Sequence, residues 1–312
     1  MILTVTLNTA LDVTYRVPGL RPHASHRVSD VAERPGGKGL NVARVLAALG
    51  HEVTATGFAG GRTGAVVREL LAASPGVRDE LVPCAGTTRR TLAVVDEASG
   101  DTTQFNEPGP LIAPAEWSAL LARYEALLAD GADAVALCGS LPPGVPVGAY
   151  AVLVRAARAA GVPVLLDTSG EALRRGIAAR PDMIKPNAAE LAELTGSRDP
   201  LPATRDARRR GAHAVITSLG PAGLLAATGR GAWRATPPRT LSGNPTGAGD
   251  SAVAGLLSAL AEGLDWPDRL TRAVALSAAT VLAPAAGEFD PRTYEEVQGS
   301  VEVAAVEAVS GV

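Results

Sequence analysis

Lysine is nearly absent from this 312-residue chain: among 29 Lys plus Arg, only Lys38 and Lys185 are lysines. Asparagine is almost as scarce, confined to Asn8, Asn41, Asn106, Asn187 and Asn244. Cysteine occurs twice, at Cys84 and Cys138. That is too few for a disulfide framework or a cysteine metal site, so a reducing, cytoplasmic setting is expected. No apolar run reaches the length of a membrane span. The opening stretch Met1 to Leu7 has no basic leader before polar Asn8, so it reads as a strand and not as a signal peptide. The four histidines (His23, His26, His51, His213) form no ligand cluster. A net charge of −3 provides no broad positive field, which argues against nucleic acid or an anionic membrane as the main partner.

Scarcity makes the survivors informative. A chain that uses Arg, Asp and Ser nearly everywhere keeps Lys and Asn where nothing else serves, or keeps them by chance. Arg cannot copy a compact ammonium on a flexible stem. Asn supplies a donor and an acceptor without charge. Both lysines lie in loops beside glycine, proline or asparagine, as functional residues would.

Three stretches carry the chemistry. The first is Asn244-Pro245-Thr246-Gly247-Ala248-Gly249-Asp250-Ser251, followed by the apolar run Ala252 to Leu260. Small residues let a ligand approach the backbone, and the first helical turn offers unpaired N–H groups and a dipole that favours an anion. Gly247, Ala248 and Gly249 can cradle a phosphoryl group in flight, and Asp250 can accept the proton of an attacking hydroxyl. The plainer alternative is an Asp N-cap after a glycine turn. The second stretch is Pro35-Gly36-Gly37-Lys38-Gly39-Leu40-Asn41, which enters a helix with Val42, Val45, Leu46 and Leu49 on one face, closed by Gly50. It is not a P-loop, because the spacing to Lys38 is wrong and Gly39 stands where Ser or Thr would. The third is Lys185-Pro186-Asn187-x-x-Glu190, in which Asn187 and Glu190 also have the spacing of a capping box. Ser218 to Gly223 reads most simply as a hairpin loop, with nucleotide phosphates as its functional alternative.

The rest of the chain reads as strands and helices in alternation. Ile2 to Leu7 begins it; from Ala115 onward come helix 117–129, strand 133–138, helix 146–160, strand 162–167, strand 182–185, helices 188–195 and 204–210, and strand 213–218. Such alternation predicts a mostly parallel central sheet covered by helices on both faces, with ligands at the carboxyl ends of the strands. Two polar-faced strands at 13–17 and 28–33, and a hairpin over 87–96 and 101–106, stand outside this pattern. Together they predict a small sheet acting as a lid on a single domain spanning 1–312, with lid segments at about 12–34 and 87–107. Helices are expected from Ser251, Pro267 and Pro291.

Five of these pieces occur together and in order: Gly36-Gly37-Lys38-Gly39-x-Asn41-Val42-Ala43, Gly139-Ser140-Leu141-Pro142, Asp167-Thr168-Ser169-Gly170-Glu171-Ala172, Lys185-Pro186-Asn187-x-x-Glu190, and Thr246-Gly247-Ala248-Gly249-Asp250. On them the chain resembles the ribokinase-like PfkB carbohydrate kinases over essentially its whole length. Thr6-Leu7-Asn8-x-x-x-Asp12, Thr88-Arg89 and Phe105-Asn106 are most similar to the 1-phosphofructokinase and tagatose-6-phosphate kinase branch. The resemblance implies an α/β ribokinase-like fold with a β-sheet lid, ATP and Mg²⁺, a phosphorylated ketohexose acceptor and a homodimer through the lid.

By position, the resemblance makes Asp250 the base and residues 247–249 the anion hole. It assigns Asp12, Gly37 and Asn41 to sugar hydroxyls, and Lys38, Arg89 and Ser140 to the phosphosugar. It lays Lys185, Asn187, Glu190, Ser218, Gly220 and Gly223 along the nucleotide, with Mg²⁺ near Asn187 and Glu190 through water. The loop 21–27 carries no lysine where related minor 6-phosphofructokinases have one, which leaves Arg21 and Arg27 as candidate phosphate contacts. The expected reaction is phosphorylation of fructose 1-phosphate. The alternatives are tagatose 6-phosphate or fructose 6-phosphate as acceptor, and, in another class, a non-catalytic sugar-phosphate sensor.

Overall fold

The computed structural model describes residues 1–28, 30–241, 243–283 and 285–306. Its elements follow in chain order. They begin with β1 (Ile2–Thr6), β2 (Ala10–Val17), β3 (Asp30–Gly36), α1 (Lys38–Ala48), β4 (Val53–Ala59), α2 (Gly61–Ala72), β5 (Val77–Asp79), β6 (Val82–Pro83), β7 (Arg89–Asp96), β8 (Thr102–Asn106) and α3 (Pro114–Ala129). The alternating part runs β9 (Ala134–Cys138), α4 (Ala149–Ala159), β10 (Val164–Asp167), α5 (Gly170–Ile177), β11 (Met183–Ile184), α6 (Ala188–Thr195), α7 (Pro200–Arg209) and β12 (Ala214–Ser218). The chain ends with β13 (Leu224–Thr228), β14 (Gly231–Thr236), α8 (Ala248–Ala261), α9 (Trp266–Val281), α10 (Pro291–Gln298) and β15 (Glu302–Ala305).

Among the described residues the main sheet has eleven strands in the order β15-β14-β13-β12-β11-β10-β9-β1-β4-β5, with β6 also paired to β4. From β12 to β5 the pairing is parallel; from β12 outward through β15 it is antiparallel. Strand alternation divides the core into two layers. Leu3, Val5, Val135, Leu137, Leu166 and Val215 face the helices α3 to α7. Ile2, Ala134, Ala136, Leu165 and Ile216 face α1, α2, α8 and α9. Because β1, β9, β10, β11 and β12 run in parallel, Asn8, Gly139, Thr168, Lys185 and Leu219 all emerge at one end of the sheet. This is the α/β architecture expected from the alternating pattern.

A separate four-stranded sheet, β3-β2-β7-β8, covers that end. Two of its strands are longer than the sequence indicates. β2 starts at Ala10 and β3 runs on to Gly36, because Ala10 pairs with Gly36 and Leu11 with Pro35. Pro35 reads as a breaker, yet it is tolerated here because β3 is an edge strand and needs no donor on its outer side. Elsewhere, α2 begins at Gly61, inside a glycine cluster that reads as loop, and α4 begins at Ala149, three residues past the expected Pro146. Five elements have no counterpart in the sequence reading: β5, β6, α5, β14 and β15. The last two extend the sheet by pairing that only the folded chain reveals.

Candidate functional site

The lid and the carboxyl ends of the strands enclose a cleft of about 410 Å³. At its floor lies Asp250, which is the third residue of α8 and not its N-cap. The cap is Gly247, held at φ 85°, where an added Cβ would lie 2.8 Å from Ala286 Cα. Instead of capping the helix, the Asp250 carboxylate accepts a hydrogen bond through Oδ2 from Asn41 Nδ2 at 2.9 Å, which leaves Oδ1 for another partner. Ala248 spends its N–H on the Pro245 carbonyl at 3.1 Å. The donors that helix geometry leaves unpaired beyond it belong to Gly249 and Asp250. A Cβ on Gly249 would sit 3.4 Å from Lys185 Nζ, so this glycine keeps the space between helix and ammonium clear.

Around Asp250 one further carboxylate, Asp167, and two ammonium groups converge. Lys38 Nζ lies 3.4 Å and Lys185 Nζ 3.7 Å from Asp167. Asp167 and Lys185 are almost completely buried. Burial raises the Asp250 pKa to about 6, the nearby Asp167 adds to the rise, and Lys38, Lys185 and the Asn41 bond oppose it. The Asp167 carboxylate raises the Lys38 pKa above its ordinary value, so Lys38 stays charged. In the sequence Asp167 belongs to a motif to which the resemblance assigns no part in the site. Its position at the C-terminal end of a buried strand was the available signal.

Lid strands supply the opposite wall. Cross-strand register sets Arg34, Asp12, Thr91 and Asn106 side by side on β3, β2, β7 and β8, and all four line the cleft. Asp12 accepts a hydrogen bond from Thr91 Oγ1. Burial raises the Asp12 pKa, against the pull of that bond and of Arg89. Gln104 Nε2 on β8 donates to Thr246 Oγ1 at 3.2 Å, joining the lid to the loop before α8. Arg34 Nε and Arg44 Nη2 both donate to Glu288 Oε1, at 2.9 and 2.7 Å. Arg34 was not singled out from the sequence, because one arginine among many carries no local signal. Arg21 and Arg27, which were, are exposed and contribute nothing to the cleft wall.

Most of the expected residues meet. Asp12, Gly37, Lys38, Asn41, Arg89, Lys185, Asn187, Glu190, Ser218, Gly247, Gly249 and Asp250 share the one cleft. Asn187 and Glu190 also form the capping box in full: Asn187 Oδ1 accepts from the Glu190 N–H, and Glu190 Oε2 accepts from the Asn187 N–H, both at 2.9 Å. Asn187 bridges to Ser218, so the two adjacent strand-end loops are joined. Ala248 and Ser140 lie off the lining. Gly220 opens the short 3₁₀ turn of the β12–β13 hairpin and Gly223 follows it, both also off the lining. Gly39 has a packing reason of its own, since a Cβ there would collide with Thr6 Oγ1 where α1 crosses β1. Cys138 is buried core beneath the site, and His51 is engaged with Ser258, away from the cleft.

The chain is similar to known proteins in sequence and in fold. The model of the pfkB family of carbohydrate kinases matches residues 3–292. A 1-phosphofructokinase of Rhodobacter capsulatus is 42% identical over 290 residues, covering 91% of this chain and 92% of that protein. The structure of Escherichia coli phosphofructokinase-2 in complex with fructose-6-phosphate has a TM-score of 0.87 at 32% identity, over 96% of this chain and 98% of the other. A possible 1-phosphofructokinase from Thermotoga maritima gives a TM-score of 0.89 at 27% identity, over 98% and 100%.

Proposed function

Because the chain belongs to the pfkB family of carbohydrate kinases, it transfers a phosphoryl group to a sugar hydroxyl, and we propose that its acceptor is fructose 1-phosphate, converted to fructose 1,6-bisphosphate with ATP as donor. The observation that carries this reading is Asp250: a buried carboxylate at the N-terminal turn of α8, with a pKa of about 6, beside two lysines. The choice of sugar rests on the 42% identity to a 1-phosphofructokinase.

In the proposed reaction the 6-hydroxyl attacks the γ-phosphorus of ATP in line. Asp250 Oδ1 takes the hydroxyl proton, the new O–P bond forms, and the bond to the β,γ-bridging oxygen breaks to leave ADP. Asn41 fixes the carboxylate through Oδ2, so only one oxygen faces the acceptor. Gly247, Ala248 and Gly249 shape the anion hole, in which the N–H groups at the start of α8 receive the transferring phosphoryl oxygens. Asp12, Gly37 and Asn41 hold sugar hydroxyls; Lys38, Arg89 and Ser140 serve the acceptor phosphate. Lys185, Asn187, Glu190, Ser218, Gly220 and Gly223 follow the nucleotide.

Mg²⁺ suits the donor set. Among the described residues no three carboxylate, histidine or cysteine side chains gather into a cage, and Glu190 keeps Oε1 free of its capping bond. That agrees with an ion bound mainly by phosphates and water, with Glu190 and Asn187 reached through water. When bound it would offset the charge that builds on the phosphates. We also propose a homodimer through the lid.

The test is ADP release with Mg·ATP and, in parallel, fructose 1-phosphate, fructose 6-phosphate and tagatose 6-phosphate. A dominant kcat/KM for the 1-phosphate is expected. A preference for a 6-phosphate would move the acceptor and keep the chemistry. Tight binding of a phosphosugar without any turnover would replace the enzyme by a sensor.

A further inference from the structure

Asn8 is buried at the end of β1, outside the cleft lining, yet it touches two groups given to the acceptor phosphate. Its side-chain Nδ2 donates to the Pro108 carbonyl at 3.1 Å and to Ser140 Oγ at 3.0 Å. Its backbone carbonyl accepts from Arg89 Nε at 3.2 Å, while Arg89 Nη1 donates to the Glu107 carbonyl at 3.1 Å. The loop that carries Ser140 also rests against Lys38, whose Cβ would lie 3.9 Å from a Cβ built on Gly139.

The orientation of the Asn8 amide is determined chemically. Pro108 offers only a carbonyl oxygen, which can only accept, so the atom facing it is the nitrogen. That nitrogen spends its two hydrogens on Pro108 and on Ser140. Ser140 Oγ is therefore an acceptor in this bond, and its single proton is directed elsewhere. A phosphate dianion has acceptors only, so this is the state in which Ser140 can bind one. Arg89 is oriented in the same way: with Nε and Nη1 spent on carbonyls, the remaining edge of its guanidinium is presented to the cleft it lines.

Asn8 Oδ1 is buried and has no hydrogen-bond partner among the described residues. It is packed against Gly109, at φ 98°, where a Cβ would collide with it. A residue kept only to fill space would shed that unsatisfied oxygen. Resting on the acceptor reading above, we infer that Asn8 is a positioning residue that sets the hydrogen-bond polarity of the phosphate end of the acceptor site, turning the Ser140 hydroxyl into an obligate donor beside Arg89 and Lys38.

The full-length enzyme tests this with fructose 1-phosphate and Mg·ATP, each substrate varied at saturation of the other. Asn8→Ala should raise the KM for the phosphosugar about tenfold, the usual effect of losing one hydrogen bond to a charged group, with kcat and the KM for ATP nearly unchanged. Ser140→Ala should do the same. Because the two act through one hydroxyl, the double variant should be no worse than either single one. Asn8→Asp, nearly isosteric, should be worse than Asn8→Ala, because its carboxylate would draw the Ser140 proton to itself and repel the phosphate. An unchanged KM, additive effects, or a parallel loss of kcat and of both affinities would overturn the inference. Should Asn8→Ala not fold, Asn8→Asp and Ser140→Ala carry the same comparison. If the unaltered enzyme has no activity on fructose 1-phosphate, the acceptor reading fails instead, a result separate from any behaviour of the variants.

Discussion

Asp250 is costly to the fold for the same reason that it is useful in the reaction. Burial raises its pKa from the ordinary 3.8 to about 6, so the free enzyme should lose kcat/KM as pH falls through about 6, with a plateau above. Asp250→Asn should lower kcat by about 10²–10⁴-fold, the usual cost of removing a positioned base. The sign of the stability effect follows by linkage. A carboxyl with a raised folded pKa holds its proton longer when folded than when unfolded, so stability falls as pH rises from about 4 to 6 and stays reduced above that. Asp250→Asn should therefore be more stable than the parent at pH 8, by about 1–3 kcal/mol, and the gain should shrink on acidification towards pH 4. Thermal melts of both proteins at the two pH values measure it. At this scale the sequence was legible where residue type is rare. The two lysines and Asn41 stand out by scarcity, whereas Asp167, a common residue type, is marked in the sequence only by its place at a strand end, and its distances to Lys38 and Lys185 give it a part in the site. Arg34 has no local signal and is identified by its contact with Glu288.

At the scale of the element, the start of α8 separates conformation from function. Gly247 is held at φ 85° against Ala286, and Gly249 faces Lys185 at a distance a methyl group can occupy. Gly247→Ala should destabilise the protein by about 1–3 kcal/mol, the cost of a strained backbone position, and lose activity as well. Gly249→Ala should leave the melting temperature unchanged or raised, since Ala favours a helix over Gly. The backbone N–H stays, but the methyl would stand in the phosphoryl path and lower kcat by about 10²-fold, the usual cost of misplacing a reacting group by about 1 Å. Melting curves and initial rates on the two variants make the comparison. A stretch of small residues before an apolar run was enough to place this element from sequence, but not to tell a cap from a third helical residue. That distinction depends on where the chain turns at Gly247, and two glycines leave the turn free to fall at either.

At the scale of the whole molecule, the lid has a second face. Cross-strand pairing sets Val31 beside Tyr15 and Phe105 beside Leu92, on the side away from Asp12. Val31 and Phe105 are 54% and 57% exposed in the single chain. These residues, on the two edge strands of a small sheet, mark the surface through which the proposed dimer would form. Light scattering on the purified protein should give a dimer, and Phe105→Glu should shift it towards monomer. If the lid is held by its partner as well as by the Gln104–Thr246 contact, the monomer should show a raised KM for the acceptor. A monomeric parent protein would remove the lid from any role in assembly.

The sequence alone determined the parallel α/β core, the separate small sheet, and most of the residues around the cleft. These follow from short-range signals: period-two strands, glycines that must permit a turn, and scarce residue types kept at strand ends. Tertiary structure decided what depends on distance. It extended β2 and β3 by pairing Ala10 with Gly36, added β14 and β15 to the sheet edge, and brought Asp167 between two lysines that are 147 residues apart in number (185 − 38). It also kept Arg21 and Arg27 out of the cleft wall and put Arg34 into it. The physical reason is the same in each case. Pairing, burial and the pKa of a buried carboxylate are set by neighbours that folding supplies, and the local sequence does not encode them.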